Sequence, residues 1–131
     1  MSIRVLVAED VDAYRDTLVA VLDLEEDLEV VVELASGDPI VSAALEHRAD
    51  VAVLDIDLPG TDGLTAAAEL GRRLPTCRVL ILTGLSAPGT LDRARAAGVS
   101  GFLFKDGSAD ELVSAVRRVA RGERVFDARS A

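Results

Sequence analysis

Six polar side chains stand directly after short apolar runs, in a combination that could act on a phosphoryl group. They are four carboxylates, one hydroxyl and one ammonium, namely Glu9, Asp10, Asp55, Asp57, Thr83 and Lys105. Crowded carboxylates raise one another's pKa values and need a cation, and Mg²⁺ usually binds through one or two carboxylates and a phosphate. A carboxylate beside such an ion can attack phosphorus, while a lysine offsets the charge of the phosphoryl oxygens. These residue types indicate magnesium-assisted phosphoryl chemistry.

Lys105 is the single lysine of the chain, which also contains thirteen arginines. If the composition of the chain simply favours arginine over lysine, Lys105 has no special role. The alternative is that arginine does not fit the position, because a planar guanidinium cannot replace a compact ammonium on a flexible stem. The choice depends on whether folding brings carboxylates close to Lys105.

Apolar runs and helical spacing alternate along the whole chain. Five short β-branched runs predict buried strands: Ile3 to Ala8, Val30 to Leu34, Val51 to Leu54, Val79 to Leu82 and Gly101 to Phe104. Five segments predict helices: Val11 to Leu24, Pro39 to Glu46, Leu64 to Leu74, Pro88 to Ala97 and Ser108 to Arg121. Asp38 is the candidate cap of the second helix, and Ser108 with Glu111 forms a capping box at the fifth.

This alternation predicts an α/β fold in which helices cover both faces of a parallel sheet. With right-handed crossovers, five strands favour the flavodoxin-like (βα)5 three-layer sandwich with the sheet order 2-1-3-4-5. Strands one, three, four and five are then neighbours, and the six polar side chains meet at the carboxyl ends of those strands. That edge is where such sheets form their functional crevice.

Each of these residues also has an ordinary structural interpretation. A single carboxylate after a strand is commonly a solvated loop residue, and Thr83 alone could bond to backbone. Pro59, Gly60 and Gly63 could serve only a turn, and Phe102 alone could be a core residue. The site hypothesis is favoured because all the polar candidates fall at the same end of the sheet.

Composition restricts the class of protein further. The chain has 131 residues, a usual size for one domain, and its net charge of −9 argues against nucleic-acid contact by this segment. Cys77 is the only cysteine, so no internal disulfide can form, which fits a cytoplasmic location; we expect a core thiol. No apolar run approaches about 18 residues, so membrane insertion is not expected.

Four motifs together resemble the receiver domain of response regulators. They are AED at residues 8–10, LDIDLPGTDGL at 54–64, ILTG at 81–84 and GFLFKDG at 101–107. The resemblance implies that Asp55 is the phosphoacceptor and that Asp10, Asp55 and the backbone carbonyl of Asp57 bind Mg²⁺, with Glu9 acting through water. It also implies that Thr83 and Lys105 contact the phosphoryl group and that the Phe102 ring turns inward toward the space Thr83 vacates.

The last part of the chain is similar to NarL/LuxR-type regulators, including the DesR-like branch. Asp106 follows the lysine where many receivers have proline after a cis bond, so the geometry of the Lys105–Asp106 bond is left open. Such regulators continue into a helix-turn-helix domain. We therefore expect a receiver domain at residues 1–122, and at 123–131 the start of a linker toward a C-terminal output domain. A stand-alone receiver is the alternative.

The resemblance implies a phosphorylation switch rather than an enzyme. A sensor histidine kinase would phosphorylate Asp55, and a homodimer would form through the first and last helices, with Leu18 and Val116 as residues to test. One alternative is a phosphorylation-independent, receiver-like interaction module. Another is a haloacid-dehalogenase-like phosphatase, suggested by the pair Asp55 and Asp57. Leu58 does not fit the motif of those phosphatases, and their nucleophile follows the first strand.

Overall fold

The computed structural model describes residues 2–84 and 88–127. It contains six strands: β1 (Ile3–Ala8), β2 (Leu28–Leu34), β3 (Val51–Leu54), β4 (Arg78–Thr83), β5 (Gly101–Phe104) and β6 (Val125–Phe126). Over the same described residues it contains five helices: α1 (Asp12–Asp23), α2 (Ile40–His47), α3 (Gly63–Arg73), α4 (Thr90–Ala96) and α5 (Ala109–Ala120).

The strands form one parallel sheet in the order β2-β1-β3-β4-β5-β6. The predicted flavodoxin-like order of the first five strands is confirmed. The sixth strand was not predicted, and it lies in the 123–131 segment that we expected to begin a linker. Residues 128–131 of that segment lie outside the described residues.

The core consists of two layers, one on each face of the sheet. Along β1, Val5 and Val7 face a layer built with α1 and α5, whereas Leu6 and Ala8 face a layer built with α2, α3 and α4. Residues that alternate along a strand point to opposite faces, so apolar side chains at nearly every position are buried on both sides. This is the three-layer arrangement that the continuous apolar runs predict.

The sheet hydrogen bonds continue one residue beyond the strands at the carboxyl edge. The Asp55 N–H donates to the Ala8 carbonyl (3.0 Å), the Glu9 N–H to the Leu34 carbonyl (2.9 Å) and the Lys105 N–H to the Thr83 carbonyl (2.8 Å). The ladder therefore fixes the backbone of these polar residues as firmly as that of the strands they follow.

Side-chain caps begin two of the helices. The Asp62 carboxylate accepts from the Leu64 and Thr65 N–H groups at the start of α3. Ser108 accepts from the Glu111 N–H at the start of α5, as predicted. Satisfying these otherwise unbonded N–H groups stabilises the first turn of each helix.

The prediction that Asp38 caps α2 is wrong. Pro39 occupies the cap position, and α2 has no side-chain cap. The Asp38 carboxylate instead accepts from the Thr61 N–H (2.9 Å) and hydroxyl (2.6 Å) in the loop after β3. Asp38 prefers this distant loop because Thr61 offers two donors to one oxygen, and the pairing ties together the loops that follow β2 and β3.

Candidate functional site

Three carboxylates meet where β1 and β3 end. Glu9, Asp10 and Asp55 can each place one oxygen within 4.8 Å of the others. Glu9 and Asp55 are buried, at 1% and 8% exposure, whereas Asp10 is exposed. Since the backbone of Glu9 and Asp55 is held by the ladder, this concentration of negative charge is fixed by the fold.

Lys105 reaches the same point from the end of β5. Its ammonium donates to Glu9 Oε1 (2.5 Å) and Asp55 Oδ2 (3.1 Å), and 23% of its side chain is exposed. Burial alone would lower the pKa of Lys105, but the hydrogen bonds to Glu9 and Asp55 outweigh it, and the pKa is raised. The lysine is therefore a fixed positive charge between two buried carboxylates.

The first helix contributes residues that the sequence analysis did not assign to the site. Arg15 donates to the Glu9 carbonyl (2.7 Å) and to the Asp12 carboxylate (2.7 Å). The Tyr14 ring lies 4.8 Å from the Lys105 ammonium in a cation–π contact. Burial is the main reason that the pKa of Tyr14 is raised. Tyr14 lies within the first predicted helix, where no local signal distinguishes a site residue from a core residue.

The loop after β3 is shaped by two glycines. Gly63 lies so close to the backbone of Asp55 that a Cβ atom at position 63 would be 2.0 Å from the Asp55 carbonyl oxygen. Gly60 has a φ of 77°, a conformation that other residues adopt at a cost. The turn brings the Asp57 N–H to 3.4 Å from Asp55 Oδ1, while Asp57 itself is exposed. The predicted turn at Pro59, Gly60 and Gly63 thus shapes the loop around Asp55.

Thr83 and Phe102 lie on the neighbouring strands β4 and β5. Thr83 ends β4 and is buried, with 4% exposure, and Phe102 is fully buried in β5. The Phe102 ring packs edge-on against Phe104, with 5.8 Å between ring centres. Among the described residues there is no cis peptide bond, so the Lys105–Asp106 bond is trans.

The donor set fits a hard divalent cation. Three carboxylates face one ammonium, so the cluster keeps an excess of negative charge, and oxygen is the ligand type that Mg²⁺ prefers. Asp10 is open to solvent, which leaves room for the waters that Mg²⁺ retains.

The sequence model of the response regulator receiver domain family matches residues 5–117. The chain belongs to this family. It is 40% identical over 124 residues to the transcriptional regulatory protein YvfU of Bacillus subtilis, covering 95% of this chain and 62% of YvfU. It is 39% identical over 124 residues to the transcriptional regulatory protein DesR of Bacillus subtilis, covering 95% of this chain and 61% of DesR.

Solved receiver structures have the same fold. The signal receiver domain of the NarL response regulator from Mycobacterium tuberculosis aligns with a TM-score of 0.89 and 34% identity, covering 93% of this chain and 98% of that one. Receiver domains of the NarL/LuxR type are signalling switches that histidine kinases phosphorylate, and they generally bind Mg²⁺ in an acidic pocket. This chain spans 61–62% of the length of the two curated relatives.

No helix in the described part of the chain is both long and apolar enough to cross a membrane.

Proposed function

We propose that this receiver accepts a phosphoryl group on Asp55 from a sensor histidine kinase. The observation that carries the proposal is the position of the Asp55 carboxylate, whose oxygens lie with those of Glu9 and Asp10 and 3.1 Å from the Lys105 ammonium. A nucleophilic carboxylate, a metal-ligand set and a fixed cation are the three components that phosphoryl transfer to aspartate requires.

In the proposed reaction, an Asp55 oxygen attacks the phosphorus of the kinase phosphohistidine and the phosphorus–nitrogen bond breaks. Asp10, Asp55 and the backbone carbonyl of Asp57 would hold Mg²⁺, with Glu9 acting through water. The ion would supply positive charge against the phosphoryl oxygens. The Lys105 ammonium, already next to Asp55, provides the second positive charge.

A groove lies beside Lys105, but Asp55 itself is not among its lining residues. The groove has a volume of about 230 Å³ and lies between α1 and the start of α5, with Tyr14, Leu18 and Lys105 among its lining residues. We propose that the phosphohistidine approaches from the side of Asp10 instead, because Asp10 is exposed and its carboxylate lies next to that of Asp55.

Phosphorylation would change the charge balance of the cluster. The adduct adds about −1.5 to −2 charges and strong acceptor oxygens. We propose that Lys105 and the Thr83 hydroxyl respond by moving toward the phosphoryl oxygens. The altered surface would shift an existing equilibrium between conformations rather than create a new fold.

Intact-mass measurement after incubation with acetyl phosphate and Mg²⁺ tests this proposal. Wild type should gain one phosphoryl group, which hydroxylamine removes because it is an acyl phosphate, whereas Asp55→Asn should gain none. Addition of EDTA should prevent the gain. If folded wild type gains nothing, the phosphorylation-independent interaction module becomes the better account, and partner binding by Asp55→Ala would then be its test.

We propose that the switch acts on a dimer formed through α1 and α5. Leu18 and Val116 do not test this surface, because both are buried, at 5% and 0% exposure, and a glutamate there would disrupt the core. Leu24, at the end of α1, is 80% exposed and can be changed without disturbing the core. Sedimentation of the phosphorylated protein should show less dimer for Leu24→Glu than for wild type, whereas Leu45→Glu on α2 should match wild type.

The wider biological role is proposed by relationship to longer regulators. Residues 1–122 would form most of the receiver, and the segment from residue 123, which includes β6, would lead toward a DNA-binding output domain. This portion itself would not contact DNA, in keeping with its net charge of −9. We place its action in the cytoplasm, as a switch whose only chemistry is its own phosphorylation and dephosphorylation.

A further inference from the structure

The chain leaves α5 and returns to the sheet as β6, beside the aromatic residue of the proposed switch. Val125 pairs with Gly101, and Phe126 pairs with Phe102. The Val125 N–H donates to the Ser100 carbonyl and the Asp127 N–H to the Phe102 carbonyl, both at 2.9 Å. The backbone of Phe102 is therefore bonded directly to the segment that follows the receiver helices.

Phe126 and Phe102 also share a face of the sheet. Phe126 packs against the core layer that contains Phe102, whereas Val125 packs against the layer on the opposite face. Two guanidinium groups cover the Phe126 ring, that of Arg95 from α4 at 4.6 Å and that of Arg124 at 5.5 Å from the ring centre. These cation–π contacts hold the ring over the edge of β5.

This placement restricts where the Phe102 ring can go. On that face of the sheet, Ile81 of β4 is its partner on one side and Phe126 of β6 is its partner on the other. A Phe102 ring that leaves the core cannot move toward β4, because β4 is an inner strand of the sheet. The ring must therefore move toward the edge of the sheet, which Phe126 and Arg95 cover. Phe102 is fully buried in this arrangement.

We propose that β6 is a latch that keeps Phe102 buried and so couples the segment after α5 to the acidic site. The coupling, though not the latch itself, rests on the proposed function. The buried ring is the position expected once Thr83 has moved toward a phosphoryl group, so docking of β6 favours the phosphorylated state. Coupling between sites is reciprocal, and phosphorylation must therefore strengthen the docking of β6.

The docked strand is weak enough to be shifted by such a ligand. It has two residues and one neighbouring strand, and the cation–π contacts on its ring come from exposed arginines. Each such contact is individually small. A ligand can redistribute two states only when their free energies are close, and β6 meets that condition. β6 would then be held or released according to the state of Asp55.

Fluorine NMR on protein labelled with 4-fluorophenylalanine tests the latch. The chain has three phenylalanines, so three resonances can be assigned by Phe→Leu variants. In wild type and in Val125→Ala, the Phe102 resonance should show no shift between H₂O and D₂O, because the ring is buried. In Phe126→Ala it should show a solvent shift. A Phe102 resonance that stays insensitive in folded Phe126→Ala, or becomes sensitive equally in Val125→Ala, overturns the latch.

A second variant guards against loss of folding in Phe126→Ala. Arg95→Met removes one cation from the Phe126 ring but keeps the ring itself, and it should give a smaller solvent shift at Phe102 in the same direction. No shift in Arg95→Met, if Phe126→Ala does not fold, also overturns the latch.

Binding of beryllofluoride with Mg²⁺ tests the coupling. Phe126→Ala should bind at least threefold more weakly than wild type, while Val125→Ala should bind as wild type does. In wild type, beryllofluoride should slow hydrogen exchange of the Val125 and Asp127 amides by a similar factor. Unchanged binding in Phe126→Ala contradicts the coupling. If wild type does not bind beryllofluoride, the proposed function fails, and the fluorine experiment still decides the latch.

Discussion

Lys105 and Arg117 each contact two carboxylates that lie far from them in the sequence, but the two clusters differ in burial. Lys105 lies between Glu9 and Asp55, whose side chains are 1% and 9% exposed. Arg117 of α5 lies between Glu25 and Asp27, whose side chains are 35% and 46% exposed. The contact distances are similar, at 2.5 and 3.1 Å for Lys105 and 2.8 Å for both contacts of Arg117.

Because the contact distances are similar, the burial of the carboxylates distinguishes the two clusters. Solvent screens the Arg117 cluster, so it serves as a surface link between α5 and the turn before β2 and contributes little to stability. Desolvation makes the Lys105 cluster costly, because two buried carboxylates face one ammonium with a third carboxylate beside them. Because this arrangement is unfavourable for stability, we assign a functional role to the Lys105 cluster and a structural role to the Arg117 cluster.

The largest expected effect comes from removing the cation of the buried cluster. Lys105→Met leaves Glu9 and Asp55 without their positive partner and should lower the free energy of unfolding by about 2 kcal/mol, less than for a fully buried pair because Lys105 reaches solvent. Arg117→Met should cause a smaller loss. Urea unfolding in EDTA measures both, and equal losses in the two variants would remove the distinction between the clusters.

Added Mg²⁺ should stabilise only through the buried cluster. At ten times its dissociation constant, a single ion adds about 1.4 kcal/mol to the free energy of unfolding. Asp10→Asn should abolish this gain, and Asp12→Asn, which removes an exposed carboxylate of α1, should keep it. Thermal unfolding across a magnesium titration is the measurement. A gain that survives Asp10→Asn would place the ion elsewhere.

Asp62 offers a third case, a carboxylate held by backbone N–H groups rather than by a cation. Burial would raise the pKa of Asp62, but hydrogen bonds from Thr65 and Leu64 outweigh it, and the pKa is lowered. Its contribution is therefore present above about pH 3.8 and is lost as the pH falls through the lowered pKa. Asp62→Ala should cost about 1 kcal/mol at pH 7 and should flatten the acid limb of the stability curve. A limb as steep as that of wild type would contradict this.

Alkaline pH should affect the stability contributed by the Lys105 cluster but not that of the Arg117 cluster. This is the smallest of the expected effects. Because the pKa of Lys105 is raised above 10.5, its stabilisation is complete below that pH and is lost as the pH rises through the higher value. Arg117, whose pKa is also raised, stays charged throughout. Lys105→Met should therefore lose less stability than wild type above pH 10.5, and Arg117→Met should follow wild type. Tyr14→Phe is the control for the tyrosine that titrates in the same range.

The sequence predicted the fold and the proximity of Glu9, Asp55 and Lys105 because both depend on strand order. Once β1, β3, β4 and β5 are neighbours, the residues that follow them share an edge, and the ladder fixes Glu9, Asp55 and Lys105 there. Helix ends were predicted less closely. The fourth helix was expected over Pro88 to Ala97 and is observed over Thr90–Ala96.

Other features depend on tertiary contacts that leave no local pattern. Asp38 precedes a helix as a cap does, but its partner Thr61 is 23 residues away. Strand β6 has only two residues, too few for an alternating or continuous apolar run. Leu18 and Val116 lie on helices that were predicted to present a surface, but each faces the sheet.

The most direct test of the account is to locate the phosphoryl group chemically. After incubation with acetyl phosphate and Mg²⁺, borohydride reduction converts an aspartyl phosphate to homoserine, and peptide mass spectrometry identifies the modified position. We expect homoserine at position 55 and none at position 27, although each of these aspartates contacts a cation. Homoserine at position 27, or a phosphorylated protein with an unmodified Asp55, would contradict this expectation.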